Sequence, residues 1–300
     1  MATHRRLGAA ILFFLSAATV PARQEPDREV VRERLLAYLD GYEQELSTLI
    51  AEERLRQWPI RRGGAGAVVI DGVLTGQDAR DTSRVRSLVS DVAFVPLPGN
   101  AGWLGYRDVT SIGGRAVRRN GPALLDLLKA QTDDSRERAM TLLLESARDN
   151  LGAARTINLP SLPLELLHRR NQGRFAVTAQ EMARTDHCAT IRLMLEETVT
   201  PTLIQSPAGG NMPSRVFAWV EPESGRLCRA EVRTRDAQHG ARAIDAVVRV
   251  EFAREPVLDV WVPEKMYEEF LYPPRDRGEG EAVYTNYRRF TTSARIVPQP

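Results

Sequence analysis

The clearest pattern in the chain is an alternation of apolar and polar positions between Asp186 and Phe290. Across His187–Glu196, Ile191, Leu193 and Leu195 share one face, and Thr190, Arg192 and Glu196 share the other. Arg226–Thr234 sets Cys228, Ala230 and Val232 against Arg229, Glu231 and Arg233. Ala243–Phe252 sets Ile244, Ala246, Val248, Val250 and Phe252 against Asp245, Arg249 and Glu251. A period of two turns one row toward a core and the other toward water. Val216–Glu221 and Val257–Val262 are apolar on both faces, which predicts strands covered on both sides. Pro222-Glu223-Ser224-Gly225 predicts a turn, with Pro presetting φ and Gly taking a position of positive φ. Short strands and turns at this spacing predict a meandering antiparallel sheet.

The period changes nearer the N-terminus. Over Asp27–Trp58, Val31, Leu35, Tyr38, Leu39, Tyr42, Leu46, Leu49 and Ile50 recur at three and four, which predicts one long amphipathic helix capped by Asp27 and ended by Pro59. Arg61–Ser83 reads as a loop leading into a hairpin around Asp71-Gly72. Val85–Val95 and Trp103–Val109 read as strands, and Ile112-Gly113-Gly114-Arg115 as a tight turn. Helices are expected over Pro122–Ala130 and Ser135–Asn150. The fold class is α+β: a C-terminal curved antiparallel sheet, a half-barrel-like meander, with amphipathic helices and a long N-terminal helix. The segments are a leader over 1–22, the long helix over 23–60, a small α/β region over 61–170 and an antiparallel β domain over 171–300. The same element order fits a single half-barrel with a helical lid over 23–300.

Residues 1–22 read as a secretory signal. His4, Arg5 and Arg6 form its basic end, Leu7–Val20 its apolar core, and Val20-Pro21-Ala22 its cleavage site before Arg23. The apolar run is shorter than the ~20 residues of a comfortable membrane span. The expected location is periplasmic or secreted, with an uncleaved anchor as the alternative. The leader carries two of the 41 basic residues, which leaves 39 against 39 acidic ones. That balance argues against nucleic acid as a partner.

Cys188 and Cys228 are the two cysteines. An oxidising compartment favours their pairing. Strand parity argues against it, because Cys228 sits on an apolar row and Cys188 on the Thr190/Arg192 row. One strand of a simple meander also separates them, ~10 Å at the usual spacing, more than a disulfide spans. The expectation is two unbonded cysteines unless a bulge intervenes.

Catalytic patterns are missing. There is no Gly-x-Ser-x-Gly and no His-Glu-x-x-His. Gly63-Gly64-Ala65-Gly66 is followed by no Lys-Ser/Thr, so no phosphate loop or cofactor is expected. Glu165 and His168 share a helix face but lack further metal ligands. His187 and Cys188 are neighbours on a strand, so they point apart. The pairs Glu52/Glu53, Glu196/Glu197 and Glu268/Glu269 read as ordinary helix or strand-edge charges. Trp219, Trp261 and Phe217 are the candidates to line an apolar pocket, although large aromatics in sheets more commonly serve as core.

Two resemblances add to this. Asp108-Val109, Ile112–Val117, Leu124 and Leu127-Leu128 are similar to the second half of a PDZ domain. Gly102–Tyr106 lies too close to Asp108 for that family's carboxylate-binding loop, so no peptide-binding role is carried over. The stretches Trp-Val-x-Pro…Gly-Arg-Leu-x-Arg-x-Glu, Val-Trp-Val-Pro-Glu-Lys-Met and Tyr-Thr-Asn-Tyr-Arg-Arg-Phe, between Trp219 and Phe290, are similar to uncharacterised exported bacterial proteins. This last third also resembles the LolA-type carriers that sort outer-membrane lipoproteins. The resemblance implies a half-barrel holding acyl chains under helices, with a lipid or lipoprotein as partner. The leading reading is an exported, non-enzymatic carrier. The alternatives are an envelope scaffold that binds another envelope protein, and a hydrolase with an unfamiliar site. An apolar cavity under the helices would favour the carrier, and a solid core the scaffold.

Overall fold

The computed structural model describes residues 27–290, except 62–67, 71–72, 76–78, 98–101, 118–123, 125, 127–132, 153–154, 207–208, 237–244 and 273–275. The leader expected over 1–22, most of the helix expected over 122–130 and His239 lie outside the described residues.

Helix α1 (Arg28–Leu46) opens the fold, and the Asp27 side chain accepts from the Glu29 N–H at its start. Strands β1 (Leu49–Arg61), β2 (Val68–Ile70), β3 (Val73–Thr75) and β4 (Ala79–Arg80) follow, with β2 and β3 paired as a small hairpin. Next come β5 (Arg86–Leu97), β6 (Gly102–Ile112) and β7 (Arg115–Ala116). Gly113 and Gly114, at φ +58° and +81°, make the tight turn between the last two. Helices α2 (Asp133–Ala147) and α3 (Leu162–Leu167) precede the C-terminal run. That run is β8 (Phe175–Arg184), β9 (Ala189–Glu197), β10 (Ser214–Val220), β11 (Leu227–Arg235), β12 (Asp245–Glu255), β13 (Val260–Tyr272) and β14 (Asp276–Arg289).

One antiparallel sheet of twelve strands takes in all of these but β2 and β3. Its order is β7-β6-β5-β1-β14-β13-β12-β11-β10-β9-β8, with β4 on the end of β1. Strands from both sides of residue 170 therefore share one sheet. The C-terminal part is the meander expected from the alternation. Its two ends, β7 and β8, do not pair with each other, so the sheet stays open.

The sheet is strongly curved, and α3 shows by how much. This six-residue helix is ~9 Å long. It contacts β6 on one side and β10 and β11 on the other. Seven strand spacings separate β6 from β10, ~33 Å in a flat sheet. Both can touch α3 only if the sheet curls around it. The concave face then gathers one core: Leu49, Ala51 and Leu55 of β1, Val92 and Phe94 of β5, Val216 and Ala218 of β10, Val248, Val250 and Phe252 of β12, with Leu35, Leu39 and Tyr42 of α1. Tyr42 meets Phe252 edge-on at 6.5 Å. A smaller cluster joins Ile50, Ala93 and Tyr106 to Leu143, Leu159 and Phe290. The Pro222–Gly225 turn forms with Gly225 at φ +73°, and a Cβ there would fall 2.1 Å from the Arg34 carbonyl oxygen. Glycine thus both shapes this turn and lets α1 rest on it.

Three expectations are corrected. Val257–Asp259 form the turn before β13 and not part of a strand covered on both sides, and Val257 is exposed. The long helix stops at Leu46, and 49–61 is a strand in the middle of the sheet, between β5 and β14. Leu46, Leu49 and Ile50 fit a helical period, but Leu49, Ala51, Glu53, Leu55 and Gln57 are one strand face. The two polar members of that row disguised the period of two. Cys188 and Cys228 are bonded, with Cα atoms 6.4 Å apart. Cys188 sits in the turn before β9, where its N–H donates to Thr185 Oγ1, so the parity of the strand does not bind it. Cys228 is the extra residue where Trp219 pairs with Arg229 and Val220 with Leu227. A bulge of this kind re-aims its side chain.

Candidate functional site

A buried polar tract crosses the apolar concave wall beside α3. Strand register assembles it. Tyr284 of β14 lies opposite Glu53 of β1, and Gly280 of β14 lies between Gln57 of β1 and Glu268 of β13. Arg107 reaches in from β6. The chain after α2 supplies the other half: Asn150, Arg155 and Asn158. All eight side-chain-bearing members of the tract are buried, including four that are charged.

The contacts are continuous. Arg107 grips Glu53 at two points, Nε to Oε2 and Nη2 to Oε1, both 2.7 Å. Tyr284 donates its hydroxyl to the same Glu53 Oε1 at 2.9 Å. Arg107 Nη2 also donates to the Asn158 carbonyl at 2.8 Å. Asn158 Nδ2 donates to Asn150 Oδ1, and so does Gln57 Nε2, each at 2.8 Å. Gln57 Nε2 donates to Glu268 Oε1 at 2.6 Å, while Gln57 Oε1 accepts the Leu151 N–H at 2.7 Å. Arg155 completes the chain at Glu268 Oε1, 3.1 Å away, with its guanidinium 4.4 Å from the centre of the Phe270 ring. The effect is to fasten Asn150, Leu151, Arg155 and Asn158 onto the concave face beside α3.

Burial works to lower the Arg107 pKa, yet the facing Glu53, with Tyr284 and Glu268, holds it above the ordinary value. Burial, followed by the Glu53 charge, raises the Tyr284 hydroxyl well above its usual range. The Tyr284 hydroxyl thus keeps its proton on the hydrogen bond to Glu53. The tract organises backbone and charge.

A cavity of about 340 Å³ adjoins the tract where Gln57 and Arg155 reach the end of β1. A shallower groove of about 600 Å³ runs along the ends of β9 to β12, beside Ser214, Arg215 and Arg233.

The aromatic candidates lie elsewhere. Val216, Ala218 and Val220 of β10 enter the core, so Phe217 and Trp219 take the opposite, convex face. There Arg192 lies over both rings, at 5.4 and 5.6 Å, with Arg229 over Trp219 and Arg233 over Phe217. Trp261 donates its indole N–H to the Leu227 carbonyl at 2.8 Å beneath Arg226. None of the three borders either cavity described above. His168 ends α3, where its Nε2 faces Glu43 Oε2 at 3.2 Å, and Nδ1 accepts the Arg170 N–H. Among the described residues no three His, Cys, Asp or Glu side chains cluster as a metal site.

The glutamate pairs are not the ordinary helix or strand-edge charges expected of them. Each pair splits across the sheet: Glu53, Glu197 and Glu268 are buried while Glu52, Glu196 and Glu269 face outward. The available signal was position. Glu53 lies between Ala51 and Leu55, and Glu268 between Met266 and Phe270, in the apolar row of a strand. Arg107, Asn150, Arg155 and Asn158 carried no comparable mark.

No family model matches the chain, and no curated protein matches it. Among solved structures the chain is similar to a LolA superfamily protein, NE2245 of Nitrosomonas europaea, at 11% identity and a TM-score of 0.35 over 89% of this chain and 97% of that one.

Proposed function

We propose that this chain is an exported, non-enzymatic binding module that holds an apolar ligand against the concave face of its sheet. One observation carries the reading: an apolar plug lies in the concavity on a polar strap. Pro163, Leu164, Leu166 and Leu167 of α3 are buried where strands from opposite parts of the sheet converge. Asn150, Leu151, Arg155 and Asn158 before it are fastened by ion pairs and hydrogen bonds. Removing two charges from water offsets most of their mutual attraction. A strap of this kind adds little net stability, and on lifting it returns its groups to water. In this structure the concavity is a packed core, the outcome that favours the scaffold alternative, so the carrier reading requires α3 to lift and open an apolar trough of the volume the plug had filled. The likeness of the last third of the sequence to lipoprotein-sorting carriers supports an acyl chain as occupant and the periplasm as the place of action. Titration with the apolar fluorophore N-phenyl-1-naphthylamine tests this. Saturable binding displaced by a free fatty acid is expected, and a linear, non-saturating signal sinks the idea.

A further inference from the structure

We propose that the outer edge of β8 pairs with β8 of a second copy of this chain, in a two-fold symmetric dimer whose sheet runs on across the interface. Strand β8 ends the sheet, and among the described residues no strand lies beyond it. Sheet edges are commonly blunted by short strands, Pro, Lys or bulges. At the other end of the sheet, β7 has only two residues. Strand β8 has ten. Its register shift falls between Val177 and Ala179, and 179–184 carries no Pro, Lys or Gly.

The direction of the backbone follows from the hairpin that joins β8 to β9. The Thr185 N–H donates to the Cys188 carbonyl at 2.9 Å, so these two residues form a hydrogen-bonded pair. From there the register is unbroken back to Ala179, with Arg184 opposite Ala189, Met182 opposite Ile191 and Gln180 opposite Leu193. Hydrogen-bonded pairs alternate along an antiparallel ladder. Gln180, Met182 and Arg184 therefore turn their N–H and C=O groups away from β9, toward the edge.

Charge and register select a second copy as the occupant. A two-fold axis at one residue sets that residue against itself and its neighbours against each other. Like charges directly opposite are unfavourable. An axis at Glu181 would oppose two glutamates, and one at Arg184 two arginines. An axis at Ala183 would set Met182 against a guanidinium, and one at Gln180 would run Met182 into the bulge. An axis at Met182 has none of these faults. It sets Glu181 against Ala183, Arg184 against Gln180, and Met182 against itself as a hydrogen-bonded pair that uses its outward groups. Met182 is 58% exposed, so this pairing also covers a large apolar side chain now in solvent. Glu181 already has its own counterion, Arg192 at 2.7 Å.

Sedimentation equilibrium of the full chain tests the assignment, and a reversible monomer–dimer equilibrium is expected. Met182→Lys brings two ammonium groups together at the axis from an exposed position. It is expected to weaken the dimer tenfold or more with circular dichroism unchanged. The register is tested at Ala183, which the axis sets opposite Glu181 of the second copy. Ala183→Lys is expected to tighten the dimer at least threefold, and Ala183→Glu to weaken it by as much. If Met182→Lys fails to fold, the two Ala183 variants decide. A Met182→Lys protein that dimerises like the parent, or Ala183 variants that shift the equilibrium in the same direction, overturns the proposal. So does a parent chain that stays monomeric into the millimolar range, which leaves the edge to an extended segment of a different protein.

Discussion

Glu268 lies across the bare backbone of its cross-strand neighbour Gly280: a Cβ at 280 would sit 2.5 Å from Glu268 Oε1 and 2.7 Å from its Cγ. The glycine makes room for a buried carboxylate, which in turn receives Gln57 and Arg155. Gly280→Ala is expected to force Glu268 aside and destabilise the fold by about 1–3 kcal/mol, the usual cost of overpacking. Urea denaturation measures this, and an unchanged midpoint counts against the contact.

The Glu53–Arg107 pair makes a sharper prediction. Arg107→Met alone strands a buried carboxylate and is expected to cost about 3–5 kcal/mol. Combining it with Glu53→Leu and Tyr284→Phe removes the charge and the hydroxyl that faces it. The triple variant is expected to be more stable than the single one. If its denaturation midpoint falls below that of Arg107→Met, the pair is not the isolated buried unit described above.

The Cys188–Cys228 bond closes a loop across a sequence separation of 40 residues. Chain entropy assigns about 4 kcal/mol to such a loop. Replacing both cysteines with serine should lower the unfolding midpoint, and a reductant should act on the parent protein but leave the double variant unchanged.

Acid sensitivity should be traceable to the β10–β11 turn. The Ser224 hydroxyl, then Arg226, holds the Glu221 carboxyl below the usual carboxylate range. A group depressed in the folded state stabilises it above the unfolded pKa, and that contribution is lost as pH falls through the folded value. Between neutral pH and about pH 3, the parent should therefore lose more stability than Glu221→Gln. Parallel acid limbs for the two proteins would reject Glu221 as a contributor.

Much of the sheet could be read locally. Ile191, Leu193 and Leu195 enter the core as their alternation predicts, and Gly225 turns the chain where Pro222-Glu223-Ser224 leads to it. The site was far less legible. Glu53 and Tyr284 meet across a sequence separation of 231 residues, and Gln57 and Glu268 across 211. No local period carries such pairings. A glutamate next to a glutamate looks like solvent-facing charge until a neighbouring strand brings an arginine or glutamine to one of the two.

The amino-acid sequence by itself determined the strand alternation of β9, β11 and β12, the helix cap at Asp27, the turn at Gly225 and the absence of familiar catalytic motifs. These depend on residues within a few positions of one another, where backbone sterics and side-chain period are decisive. Tertiary structure alone decided that 49–61 is a strand, that Cys188 reaches Cys228, and that Glu53 and Glu268 are buried. Leu49–Arg61 becomes β1 because β5 and β14 satisfy its backbone on both sides, and that pairing brings an otherwise surface-like row of charges into a single buried network.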